Sequence, residues 1–131
     1  MGFSKNIASL AVLAATAAAS STVLLAPDAS AHGDDVAIVW INGAECDNEA
    51  YTSIAQAVQT NGALNGQRVY VGIPHFITGA PDPVTIKSKF TNTLASLQKM
   101  GFTGDNILIA GHSLGGVMSQ NYAESNTDIK A

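Results

Sequence analysis

The chain has 131 residues, enough for one domain at most. Apolar residues make up 47% and charged residues 12%, a composition that suits a packed core and argues against a disordered tail. The net charge is −4 and no Lys/Arg run occurs, which excludes the basic footprint of a nucleic-acid binder.

The first element is read as a targeting segment, not as part of the fold. Lys5 gives a positive start, an Ala/Leu/Val-rich stretch runs from Ile7 to Ala26, and Pro27 follows. Ala29-Ser30-Ala31 then supplies an A-x-A cleavage signal, so residues 1–31 read as a secretory signal peptide and 32–131 as the mature, extracellular chain. The apolar stretch is diluted by Ala, Ser and Thr, and no stop-transfer charges follow, so no stable membrane anchor is expected. Cys46 is the one cysteine and has no partner within the sequence. No N-x-S/T sequon is present.

Val36–Ile41 is a continuous apolar run bounded by Asp35 and Asn42-Gly43, the pattern of a strand buried on both faces. A helix is predicted from about Asn48 to Thr60, with Tyr51, Ile54, Ala55 and Val58 on one face and Asn61-Gly62 and Asn65-Gly66 punctuating its end. Arg68–Ile73 reads as a second strand stopped by Pro74, and the following loop carries Gly79, Pro81, Asp82 and Pro83. Ile86, Phe90, Leu94 and Leu97 keep the spacing of one helix face, closed by Gly101. Asn106–Ala110 is the third strand, after the turn residue Asp105, and a last helix runs from Leu114 to about Glu124. Buried strands alternating with amphipathic helices predict an α/β protein: a three-layer α/β/α arrangement around a mainly parallel sheet.

The third strand runs directly into Gly111-His112-Ser113-Leu114-Gly115, a G-x-S-x-G motif with a strand before it and a helix after it. This context predicts a sharp turn that holds Ser113 in strained backbone geometry and projects its hydroxyl at the carboxyl end of the sheet. Gly111 and Gly115 leave room where side chains would meet the strand or the first helical turn. The helix start aims N–H groups and its positive dipole end at the serine, and the Leu114 N–H is placed as an oxyanion donor.

"ILIAGHSLGG" resembles the lipase/esterase branch of the α/β-hydrolase fold. The resemblance extends upstream, where "VAIVWINGAECDNEAYTSIAQAVQ" is similar to the first central strand of that fold with its oxyanion loop and following helix. Many members end that strand in His-Gly-x; here Asn42-Gly43-Ala44 stands in its place. The resemblance implies that the Ala44 N–H is the second oxyanion donor, with Glu45 as the adjacent candidate. It also implies that the two donors converge on the serine. It covers Val36 to about Glu124 and implies a serine hydrolase acting on a small ester or lipid, with no cofactor.

The family's catalytic order is serine, then acid, then histidine. After Ser113 the sequence has Glu124 and Asp128 but no histidine. His112 lies inside the motif with its ring expected to point away from the serine hydroxyl, His75 follows the second strand as a loop residue, and His32 begins the mature chain. The chain is therefore expected to be a truncated α/β-hydrolase fold. Its third strand is expected to stand as an exposed edge, one sheet face to be thinly covered, and the chain to be nearly inactive by itself. Two alternatives stay open: a non-catalytic secreted module of the same fold, and another acyl-transfer activity such as a peptidase or thioesterase. The acidic tract Glu45, Asp47 and Glu49 reads as a solvated loop and helix start, with no metal expected there.

Overall fold

The computed structural model describes residues 21–131. In chain order it contains β1 (Val23–Leu25), β2 (Asp34–Ile41), α1 (Thr52–Leu64), β3 (Gln67–Ile73), α2 (Ile86–Lys99), β4 (Asn106–Gly111) and α3 (Leu114–Glu124). A single turn of 3₁₀ helix, Asn48–Tyr51, leads into α1. The strands form one mixed four-stranded sheet in the order β1-β3-β2-β4. β3 and β4 both run parallel to β2, and β1 is antiparallel on β3.

The period-2 alternation of β2 decides the layers. Ala37, Val39 and Ile41 face the side covered by α2 and α3, where they join Phe76, Ile86, Phe90, Leu97, Phe102 and Ile109. Val36, Ile38 and Trp40 face the opposite side with Ala55 of α1 and Val69, Val71 and Ile73 of β3. Side chains of successive strand residues point to opposite faces, so a strand that is apolar throughout needs a layer on each side. The result is the expected three-layer α/β/α fold.

Among the described residues α1 is the one α-helix on its face, and an open groove of about 780 Å³ runs beside it, lined in part by Val36, Ile38, Ile54, Val58 and Leu108. Ile54, predicted to pack with Tyr51, Ala55 and Val58, instead borders this groove and is 47% exposed. The helical period placed it on the correct half of α1, but no element among the described residues reaches over to cover it.

Several boundaries differ from the sequence expectation for physical reasons. Asn61-Gly62 does not end α1, which continues to Leu64. Gly62 is buried inside the helix, and a Cβ there would overlap the side chain of Val69, so its role is close helix–strand approach. Gly66, at φ 70°, makes the stop. The sheet has four strands where three were expected, because Val23–Leu25 pairs with β3. The expectation that nothing before about residue 32 joins the fold is corrected to this extent; the predicted leader's residues 1–20 lie outside the described residues. The edge beyond β4 is also partly used: Ile109 N–H donates to Lys130 O (2.8 Å) and Lys130 N–H to Ile107 O (3.0 Å).

Asp35 ties the start of β2 to its neighbours. One carboxylate oxygen lies 3.1 Å from the Arg68 guanidinium, and the other accepts from Thr103 N–H (3.1 Å) and Thr103 Oγ1–H (3.2 Å). Asp35 is buried while Arg68 keeps access to water, so removing the acid leaves a cation that solvent can rescue but strands the Thr103 donors. Asp35→Ala is expected to cost about 2 kcal/mol, read as a lowered urea midpoint at unchanged slope.

Candidate active site

Ser113 sits between β4 and α3 with φ 54° and ψ −124°. For a non-glycine residue this is a sparsely populated backbone region that persists only where the surroundings enforce it. The enforcement is visible around it. A Cβ on Gly111 would overlap the backbone of Gly115, and a Cβ on Gly115 would overlap the carbonyl oxygens of Ile41 and Asn42. The first turn of α3 is therefore pressed against the end of β2 at the distance that glycine permits. His112 N–H donates to Ile41 O (3.2 Å), and Gly115 N–H donates to His112 O (2.9 Å), closing the turn. The Ser113 side chain is exposed at the carboxyl end of the sheet.

Sheet topology brings the other half of the site alongside. Ile41 and Gly111 are register partners at the ends of β2 and β4. The chain leaves β2 toward α1 on one face and leaves β4 toward α3 on the other. Between two such parallel strands the departing loops part and leave a crevice at the carboxyl ends, where open α/β sheets bind ligands. Asn42-Gly43-Ala44 forms one wall and His112-Ser113 the other. The packing is direct: a Cβ on Gly43 would stand 3.4 Å from Ser113 Cβ and 3.1 Å from His112 Nδ1.

Around this crevice the N–H groups divide into used and unused. Glu45, at φ 58°, donates its N–H to Gly79 O (2.6 Å), and Gly43 N–H donates to the Tyr51 hydroxyl (3.0 Å). Ala44 N–H and Leu114 N–H have no acceptor among the described residues. Leu114 N–H is one of the orphan donors at a helix start. The Ser113 hydroxyl has no hydrogen bond to any side chain among the described residues either. His112 Nδ1 is 3.0 Å from the Tyr51 hydroxyl, and His32 Nδ1 is 3.2 Å from Ser30 O, so neither ring is engaged with the serine. His75, in the loop after β3, has no hydrogen bond to it.

Two residues that the sequence reading did not assign to the site hold the loop in place. Asn42, 3% exposed, donates from Nδ2 to Gly43 O (3.1 Å) and Cys46 O (2.7 Å), which curls residues 43–46 back on themselves. Tyr51 bridges the two walls: its hydroxyl accepts from Gly43 N–H and is hydrogen-bonded to His112 Nδ1 at 3.0 Å. Burial raises the phenol above its ordinary value. The only sequence signal for Tyr51 was a polar tip on an apolar helix face, which requires a partner when buried. Tyr51→Phe is expected to leave the fold intact and cost about 1 kcal/mol, read as a lowered urea midpoint. An unchanged midpoint would remove Tyr51 from this bridging role.

The acidic tract does not converge: Glu45 and Asp47 are exposed, and among the described residues no group of three His, Cys, Asp or Glu side chains could hold a metal ion. Among the same residues no helix is long and apolar enough to cross a membrane.

The family model described as "Alpha/beta hydrolase family" matches residues 37–131. No curated protein matches the sequence. Among solved structures, a phospholipase/carboxylesterase from Dyadobacter fermentans DSM 18053 is similar, with a TM-score of 0.53 and 14% sequence identity. The likeness covers 82% of this chain and 55% of that one, so this chain spans little more than half the length of that structure. At this identity the likeness concerns the fold.

Proposed function

Because the chain belongs to the alpha/beta hydrolase family, we propose that it carries the nucleophile and oxyanion hole of a secreted serine hydrolase acting on carboxylic esters. Ser113 Oγ attacks the ester carbonyl. The oxyanion that forms is held by Ala44 N–H and Leu114 N–H, neither of which has an acceptor among the described residues. A base takes the serine proton and delivers it to the departing alcohol, and water then releases the acyl group by the reverse sequence. The family's order of serine, acid, histidine places the base and its orienting acid after the serine. The substrate is a small ester or lipid.

The observation that carries this reading is the strained Ser113 backbone, held at φ 54° with the Gly43 backbone packed against its Cβ. Strain of this kind costs on the order of 1–3 kcal/mol and is concentrated at functional sites. The test is an alkyl fluorophosphonate applied to a protein that continues past residue 131. Labelling confined to the peptide containing Ser113, followed by hydrolysis of p-nitrophenyl esters in preference to peptide or thioester substrates, is the expected result. Absence of labelling in a folded sample would favour a non-catalytic module, and preference for a peptide or thioester would retain the nucleophile but change the reaction.

A further inference from the structure

The segment ahead of β2 contains two places that a signal peptidase could read, and they have opposite consequences for the sheet. Ala29-Ser30-Ala31 lies after β1. Ala17-Ala18-Ala19 lies before it, separated by Ala15-Thr16 from the apolar run Ile7–Ala14, with Lys5 at the start. Apolar regions of signal peptides span about 7–15 residues, and the run from Ile7 to Ala14 falls in that range whereas the run from Ile7 to Ala26 exceeds it. We infer that the leader is cut after Ala19, so that Ser20 begins the mature chain and β1 is retained as a strand of the folded protein. This rests on the secretion proposed above.

The packing of β1 supports the choice. Val23, Leu24 and Leu25 pair with Ile73, Gly72 and Val71. Val23 and Leu25 pack on the α1 side of the sheet and Leu24 on the α2 side against Leu97 and Tyr70. Two polar side chains of the body of the domain are committed to this segment. Asn48, 1% exposed, donates from Nδ2 to Ser21 O (2.7 Å) as well as to Ile73 O (3.0 Å). Gln59 Nε2 is shared among Leu25 O (3.2 Å), Ala26 O (2.9 Å) and Val69 O (2.9 Å).

The link from β1 to β2 is also built as a connection. Ser30 N–H and Oγ–H both donate to Asp28 Oδ1, and Ala31 N–H donates to Asp28 O (2.9 Å). Gly33, at φ 105°, then lies so close to Gly66 that a Cβ would overlap its carbonyl. A cut after Ala31 removes β1, takes acceptors from Asn48 and Gln59, and uncovers the apolar β3 as a sheet edge open to pairing with other chains. A cut after Ala19 costs none of these.

The test is expression of the full sequence, with a carboxyl-terminal tag, in a secreting host, followed by intact mass and amino-terminal sequencing of the exported product. A product beginning at Ser20 is expected, with Ala19→Leu blocking or displacing the cut and Ala31→Leu leaving it unchanged. A product beginning at His32, or a block by Ala31→Leu, overturns the inference while leaving secretion standing. Cell-retained chain that still begins at Met1 overturns the secretion reading and this inference with it.

Discussion

Under the proposed function, replacing Ser113 with alanine is expected to lower kcat for a short p-nitrophenyl ester by about 10⁶-fold in a protein that carries the whole triad, the scale seen when a serine nucleophile is removed from an intact triad. Stability should move by no more than about 0.5 kcal/mol, because the Ser113 hydroxyl is exposed and makes no hydrogen bond to the described side chains. The 131-residue chain provides the informative contrast. None of its described histidines is hydrogen-bonded to Ser113, and a hydroxyl without a base is a poor nucleophile at neutral pH. The chain alone and its Ser113→Ala variant should therefore hydrolyse the ester at the same background rate. Serine-dependent turnover by the chain alone would show that a base lies within these residues.

Gly115→Ala should be the most damaging single-methyl substitution in the site. The added carbon overlaps the carbonyl oxygens of Ile41 and Asn42. These are backbone oxygens at and just past the end of β2, where Ile41 is in register with Gly111 of β4, so they cannot yield as a flexible side chain would. Overpacking typically costs 1–3 kcal/mol, and a rigid backbone neighbour puts this case at about 3 kcal/mol. The effect on chemistry is separate: pushing α3 away from β2 displaces Ser113 from the Gly43-Ala44 wall, and a displacement of about 1 Å can cost about 10²-fold in rate. Gly116→Ala is the control. Its Cβ would stand 3.3 Å from Gly111 O and 3.7 Å from Gly111 C, so a shift of a few tenths of an ångström admits it. Urea unfolding should separate the two variants by more than about 2 kcal/mol. Similar midpoints for both would mean that the elbow is looser than its glycine contacts indicate.

Much of the architecture was legible because it depends on local pattern. Val36–Ile41, Val69–Ile73 and Ile107–Ala110 are runs without a charged residue, and such runs call for cover on both faces. The spacing of Ile86, Phe90, Leu94 and Leu97 marked the buried face of α2, on which Phe90 and Leu97 are almost fully enclosed. The Ser113 turn was legible for the same reason, since a glycine on either side of a serine at a strand–helix junction is a local steric requirement.

What the sequence by itself determined, then, was the class of fold, the order of its elements and the strand–serine–helix junction, all set by interactions between residues close in the chain. Only the tertiary structure decided what depends on distant neighbours. Gly62 resembled a helix stop until Val69 was seen to fill the space above it. The pairing of Val23–Leu25 on the edge of β3 depends on residues far along the chain. Ile54 had the period of a core residue but no layer to cover it. Tyr51 became part of the site only because the register of β2 against β4 brings Gly43 and His112, about seventy residues apart, within reach of one hydroxyl. Burial and hydrogen-bond partnership belong to pairs of elements, and a pair exists only once the sheet has set its order and register.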